Sequence, residues 1–542
     1  MIASSSLADL TAASRAVGIA RGALETAIGH LARSGPDALE AHQVVAYDLA
    51  HAAAAMEGAR VAVEYGSHGE LETQIACAFV ADSIADLAGR IPGREGAWGL
   101  AGGALDAALA EVAAYRDPAW LAGIAGKSGP RHLDNDFELV QETFRRFADE
   151  RIAPVAEAIH RENADIPESI ISGLAELGAF GLSIPEEYGG FASGGESDYL
   201  GMVVATEELS RASLGAGGSL ITRPEILARA LVRGGTEAQK QNWLPRLASG
   251  EVMAAVAVTE PDFGSDVAGV TVTASASASP LGEGGWVING TKTWSTFAAR
   301  ADVVMLLART DPDRSLGHRG LSLFVVEKDR ADGRGFSFAQ PGGGRLEGRP
   351  IDTIGYRGMH SYELSFDGWA VPADSLVGGD KGLGRGFYLQ MEGFENGRLQ
   401  TAARAVGVMQ AAYESATKYA TDRVVFGQPI GRYQLSQVKL ARMAVHIAVA
   451  RQYMYQVARL MAKGEGALEA SMVKAYVCRS AEWVTREAMQ LHGGMGYAEE
   501  YPVSRYFVDA RVLSIFEGAD ETLALKVIAR RLVERSRATD RA

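Results

Sequence analysis

Ser514-Ile515-Phe516-Glu517-Gly518-Ala519-Asp520 sets one carboxylate between apolar residues and a glycine, just ahead of a helical run over 520–534. Ile515 and Phe516 are expected to hold water off Glu517 and favour its protonated form once a substrate closes the site, which suits a base for a carbon-bound proton. Gly518 leaves room for a ligand to approach the backbone. Alone, the stretch reads more simply as a solvated glutamate at a helix start. Four other stretches change that reading: Val258-Thr259-Glu260-Pro261-Asp262-Phe263-Gly264-Ser265-Asp266, Asn289-Gly290-Thr291-Lys292-Thr293-Trp294-Ser295-Thr296, Arg423-Val424-Val425-Phe426-Gly427 and Gln490-Leu491-His492-Gly493-Gly494.

The bulk of the chain narrows the function classes. With 542 residues it exceeds one ordinary domain, and a 47% hydrophobic content supports a large core. A net charge of −14 argues against nucleic acid or an anionic membrane as partner, since both need a basic face. A phosphate-bearing ligand must therefore meet locally placed arginines. The two cysteines, Cys77 and Cys478, stand in helical patterns with no CxxC or His-rich neighbourhood, so neither a disulfide framework nor a zinc site is indicated. His492 reads as a packing residue, without a second ligand at metal spacing. Met1-Ile2-Ala3-Ser4-Ser5 lacks a basic leader pattern and runs such as Val303–Ala308 are too short to span a bilayer. A soluble, cytoplasmic protein without membrane insertion is expected.

Residues 8–33, 41–66 and about 70–90 show helical spacing, with a turn at Ser34-Gly35-Pro36-Asp37. The chain resembles itself here. Arg15-Ala16-Val17-Gly18 recurs as Arg404-Ala405-Val406-Gly407; Gln43, Leu49, Ala50, Ala59 and Arg60 match Gln434, Leu440, Ala441, Ala450 and Arg451; Leu71, Glu72, Ala78, Val80 and Ser83 match Leu468, Glu469, Ala475, Val477 and Ser480. Residues 1–130 thus read as a helical extension and linker, a degenerate copy of the C-terminal helices, with one more helix at 103–115. Residues 131–252 read as helical. Between 253 and 376 the pattern turns to short strands at Thr271–Ala276, Trp286–Ile288, Val303–Ala308 and Leu321–Val326. From 377 to 542 the helical period returns, broken at Gly427–Gly431, Gly464–Gly466 and Gly493–Gly496.

In this order the five motifs resemble the acyl-CoA dehydrogenase family of flavoproteins, over roughly residues 134–535. The resemblance implies a mostly α fold with a central β-barrel domain, namely a helical domain, a β-barrel and a four-helix bundle, here with an extra N-terminal helical domain. It implies FAD as cofactor, an acyl-CoA substrate, electron-transfer flavoprotein as acceptor and a homo-oligomer. The extension would stand where a neighbouring subunit's helices otherwise pack, favouring a dimer over a tetramer. Glu517 would take the α-proton as hydride leaves the β-carbon for FAD, giving a trans-enoyl-CoA. In some relatives the base comes from an earlier helix; the matching position here is Gly397, which cannot serve.

The resemblance also implies the remaining roles. Val258, Thr259, Trp294, Ser295 and Thr296 would line the flavin ring; Ser265 would meet the ligands near the CoA portion. Arg423, Phe426, Gln434, Gln490, Gly493 and Gly494 would reach the flavin of the adjacent subunit, Arg423 at the pyrophosphate. Ala519 and Glu521 take flavin-contact positions but depart from the family pattern, and the distance to Arg530 is one residue longer than usual. Phe394, Arg398 and Gly518 would line the substrate path. The long extension most resembles members acting on a short branched dicarboxylic thioester, methylsuccinyl-CoA going to mesaconyl-CoA in the ethylmalonyl-CoA pathway. A buried free carboxylate needs a cation, and Arg223 and Arg211 are the candidates. Isovaleryl-, butyryl- or glutaryl-CoA oxidation, an acyl-CoA oxidase and a silent helical scaffold stay open as alternatives.

Overall fold

The computed structural model describes residues 8–277, 284–332 and 334–539. The Met1–Ser5 stretch read for a leader lies outside them. Two compact units result, Met1–Glu138 with Thr401–Ala542, and Leu139–Gln400.

The first unit is helical. Asp9 starts the helix Leu10–Arg33 by accepting the N–H groups of Thr11 and Ala12 at 2.9 and 3.1 Å. Its apolar positions Ala13, Ala16, Val17, Ala20, Leu24, Ala27 and Leu31 recur at three and four residues and are all buried. The helices Gln43–Gly66 and Glu70–Gly89 pack on it and also on Gln434–Ala462 and Ala467–Leu491. Alanines along these faces let the helices come close. Charge adds to the packing, since the Asp82 carboxylate accepts from Arg116 at 3.1 Å and Arg442 at 2.8 Å. The linker is tied down as well: Tyr413 donates to the Lys127 carbonyl, Tyr65 to that of Pro130 and Gln452 to that of Arg131. The helix read at 103–115 is an α-helix over Asp106–Val112 that continues as a 3-10 turn over Ala113–Arg116, followed by a short helix Pro118–Ala122 capped by Asp117.

The expected single run over 520–534 is also corrected. It is α-helical over Asp520–Thr522, a π-helix over Leu523–Ala529, and α-helical again over Arg530–Thr539. Wider i→i+5 turns take in more residues than α turns do, so the residues of this stretch do not keep an α-helical spacing up to Arg530.

The second unit sets helices such as Ser197–Ala212, Thr222–Gly234 and Glu237–Ala248 against a sheet of eight strands. The strands are β1 (Ala254–Ala257), β2 (Thr273–Ser277), β3 (Gly285–Thr296), β4 (Val303–Arg309), β5 (Leu321–Glu327), β6 (Phe336–Ala339), β7 (Arg345–Ile351) and β8 (Ser361–Pro372). Their order is β1-β4-β2-β3-β8-β7-β6, with β5 also on β4. No pairing among the described residues joins β6 back to β1 or β5, so the pairings trace a path and do not by themselves show the expected β-barrel to be closed. β4 is buried along its whole length, which is why Val303–Ala308 reads as an uninterrupted apolar run.

Candidate active site

In the sheet unit the site residues gather on β3 and the loop after β1. Lys292 pairs with Leu364 and Ser295 with Tyr362, so Thr293 and Trp294 together stand opposite Glu363 alone. This bulge interrupts the alternation of β3. Trp294 takes φ 59° and is 55% exposed, while Thr293, Ser295 and Thr296 on either side are buried. The bulge thus holds a flat apolar ring outside the sheet. Thr293 N–H donates to the Thr259 carbonyl at 2.8 Å, and Lys292 Nζ to the Val258 carbonyl at 2.8 Å, fixing the loop to the strand. Lys292 and Glu260 form a buried ion pair at 2.9 Å; Glu260 also accepts from Thr271 N–H and hydroxyl and from Val272 N–H. Burial pushes Lys292 down to about 8, against the pull of Glu260. Burial pushes the Glu260 carboxyl up, but Lys292 and the donors outweigh it and leave it below its ordinary value. Ser265, beyond this loop, is exposed.

The two arginine candidates for a substrate carboxylate differ. Arg211 is engaged by Asp149 and stands 3.5 Å from buried Glu208, so it already has carboxylates of its own. Arg223 is buried at the start of Thr222–Gly234 and donates to the Tyr356 hydroxyl at 3.2 Å. Arg398 is buried and Phe394 half-buried against the core of this unit.

In the helical unit, Glu517 sits at φ 53° and Gly518 at φ 102°. Gly518 is required for this conformation more than for space, since an added Cβ would come only within 3.7 Å of Leu523. The Glu517 side chain is 4% exposed. Its neighbours correct the expected apolar pocket. Arg404 donates to Oε1 at 2.7 Å, the Thr401 hydroxyl donates to Oε2 at 3.2 Å, and Arg404 also reaches the Thr401 hydroxyl at 2.6 Å. Ile515 is 53% exposed and Phe516 lies over the Arg404 guanidinium at 4.8 Å. The carboxylate is therefore held by ionic and hydrogen bonds. The sequence registered Arg404 only as the counterpart of Arg15, which is exposed and pairs with Glu111; its place inside the apolar run Ala402–Val406 was the available signal. Lys474 Nζ donates to the Gly518 carbonyl at 2.5 Å. Ala519 precedes the helix that starts at Asp520, and Glu521 is exposed.

The other nominated residues of this unit lie at its surface. Arg423, Gln434, Gln490, Gly493 and Gly494 are exposed, and Phe426 is 94% exposed at φ 51°. An added Cβ at Gly493 or Gly494 would meet nothing within 4 Å. His492 is buried, stacks on Tyr419 at 4.3 Å and is bonded to the Ala488 carbonyl. These features fit a flavin dinucleotide. An outward indole and the buried Ser295 hydroxyl, which has no hydrogen-bond partner among the described residues, suit a flat polar-edged ring; an exposed guanidinium, an aromatic ring and two open glycines suit a dinucleotide tail.

Comparison with known proteins agrees. Family models match in chain order: acyl-CoA dehydrogenase N-terminal domain over 134–251, middle domain over 255–369 and C-terminal domain over 384–533. (2S)-Methylsuccinyl-CoA dehydrogenase of Cereibacter sphaeroides is 46% identical over 410 residues, 75% of this chain and 71% of that protein. Among solved structures, butyryl-CoA dehydrogenase from Megasphaera elsdenii matches with a TM-score of 0.66 at 30% identity, over 74% of this chain and 99% of that one. A glutaryl-CoA dehydrogenase from Mycobacterium smegmatis in complex with FADH2 matches with a TM-score of 0.64 at 27% identity, over 74% and 96%. The chain belongs to the acyl-CoA dehydrogenase family and is an oxidoreductase of that kind.

Proposed function

We propose that the protein oxidises (2S)-methylsuccinyl-CoA to mesaconyl-CoA, with Glu517 as the base and electron-transfer flavoprotein as the acceptor. The observation that carries this reading is the Glu517 carboxylate, hidden from solvent and oriented at both oxygens by Arg404 and Thr401 on a left-handed turn. A carboxylate so fixed can meet one C–H bond in one geometry, which is the main demand of proton abstraction from carbon. FAD, the cofactor of this family, accepts the β-hydride when bound. Trp294, Thr296 and Thr259 would hold its ring, and Arg423 and Phe426 of a second copy its dinucleotide tail. Arg223 would receive the free carboxylate of the acyl group, since a buried carboxylate needs a cation and this guanidinium lies inside the sheet unit, donating to the Tyr356 hydroxyl. The 46% identity to a methylsuccinyl-CoA dehydrogenase supports the same substrate.

The extension we read as a degenerate copy of the C-terminal helices that favours a homodimer. Matched residues fall at matched helix positions: Gln43 and Gln434 each open a helix, and Leu71 and Leu468 are each second in theirs. No helix among the described residues is long and apolar enough to cross a membrane.

The test is the anaerobic absorption spectrum of the purified protein with methylsuccinyl-CoA, butyryl-CoA and glutaryl-CoA in turn. Bleaching of a bound flavin by methylsuccinyl-CoA alone, lost in Glu517→Gln with flavin content unchanged, is the expected result. Bleaching by the others keeps the family and removes this substrate, and fast reoxidation in air points to an oxidase.

A further inference from the structure

The helix Gln43–Gly66, from the extension that precedes the three matched family domains, reaches the turn that carries Glu517. Tyr47 Oη donates to Asp520 Oδ2 at 2.5 Å, and His51 Nε2 shares the same oxygen at 3.1 Å. The two rings lie four residues apart on one helix face and meet edge to face at 4.5 Å. His51 and Asp520 are 6% and 13% exposed.

We propose that Tyr47 and His51 are positioning residues for catalysis: they clamp Asp520 and thereby fix the turn from which Glu517 works. This rests on the reading of Glu517 as the base. Asp520 is three residues beyond Glu517, opens the following helix, and donates its N–H to the Ser514 carbonyl at 3.0 Å, closing the turn. Within that closure Glu517 and Gly518 are consecutive left-handed residues, a conformation that persists only where the surroundings hold it on both sides. Arg404 and Thr401 hold the Glu517 side and Lys474 holds the Gly518 carbonyl. Tyr47 and His51 hold the far side. The extension grips the rest of the C-terminal run too, through Glu40 on Lys526 and the Ala32 carbonyl on Arg537.

The charges around the clamp agree with its geometry. Arg479 from Ala467–Leu491 lies over the Tyr47 ring at 5.9 Å; Arg90, which ends Glu70–Gly89, and Glu521 are the other charged groups that act on the clamp residues. Burial pushes the Asp520 carboxyl up, but His51, Tyr47 and Arg479 outweigh it and hold it below its usual range, so it stays a full acceptor at neutral pH. Both residues that contact Asp520 come from the segment that precedes the matched family domains. A displacement of about 1 Å at a base costs on the order of 100-fold in rate, so an anchor three residues away is enough to matter.

The holoenzyme with methylsuccinyl-CoA tests this through Tyr47→Phe with His51→Leu, Asp520→Ala, Asp520→Asn and, as reference, Glu517→Gln. The paired variant and Asp520→Ala should each lower kcat by about 10- to 100-fold with KM and flavin content unchanged, and raise the isotope effect of α-deuterated substrate. Adding Asp520→Ala to the paired variant should cost nothing further, since all three act through one contact. Asp520→Asn should keep most of kcat, its amide oxygen taking the place of Oδ2 and accepting from both Tyr47 and His51. Wild-type kcat and isotope effect in the paired variant, with Glu517→Gln inactive, overturn the clamp alone. Full activity in Glu517→Gln overturns the reading of the base instead. Should the paired variant not fold, Tyr47→Phe and His51→Gln singly give the same two readouts, and a fall in kcat that only follows lost flavin or lost Tm counts against the proposal.

Discussion

Three of the nominated site residues, Trp294, Phe426 and Glu517, are non-glycine residues with positive φ, and so is Tyr356, which holds Arg223. Each such residue costs about 1–2 kcal/mol and is kept only where other contacts dictate it. For Glu517 the dictating contact is Arg404, fully buried and bonded to it at 2.7 Å. Removing one partner of a buried pair leaves the other charge without compensation. Arg404→Met should therefore lower urea stability by about 3 kcal/mol or more, and Arg404→Met with Glu517→Gln should recover most of that loss. A double variant no better than the single would mean that the pair is not coupled.

At the scale of elements, β3 and the loop after β1 act as one piece because Glu260 and Lys292 join them inside the sheet unit. Glu260 has a folded value below its ordinary 4.5. A carboxyl lowered in this way contributes stability that is complete above pH 4.5 and is lost as the pH falls through the folded value, where the native state must take up a proton it resists. Urea unfolding of the wild type should therefore weaken between pH 5.5 and the acid side of 4.5. Glu260→Gln, which strands the Lys292 ammonium, should be less stable by about 3 kcal/mol at pH 5.5 and should lose less on acidification. Equal pH slopes in the two proteins would remove Glu260 as the cause. On the proposed placing of the flavin ring against Val258, Thr259 and Trp294, flavin release should accompany the unfolding, because all three hang on this junction.

For the whole molecule, the extension is part of the helical unit and not an appendage. Phe79 sits edge-on to Tyr476 at 5.6 Å and to His446 at 6.2 Å, and His446 is pushed down to about 4 by burial. A chain lacking residues 1–130 would expose those rings and the alanine faces of Gln434–Ala462 and Ala467–Leu491, and such surface seeks a partner. The full chain should run as a dimer in light scattering, whereas the truncated chain should form a larger assembly or fall out of solution. A truncated chain that stays dimeric and active would show that the extension covers nothing essential.

The sequence by itself determined the order of helices, strands and helices and most of the helix and strand positions, because these are written in short-range periodicity, while Glu517 was nominated through the resemblance its motif carries together with four others. The strand runs Val303–Ala308 and Leu321–Val326 fall on β4 and β5, and the helical breaks at 427–431 and 464–466 fall between helices. The tertiary structure alone decided what surrounds Glu517. Arg404 lies 113 positions away and the Tyr47 clamp on Asp520 spans 473, separations over which no local pattern reports. It also set Asp149 and Glu208 beside Arg211 through helix packing. Periodicity shows which face of an element is apolar; which element covers that face, and which charge lands beside which, is settled only when the helices pack.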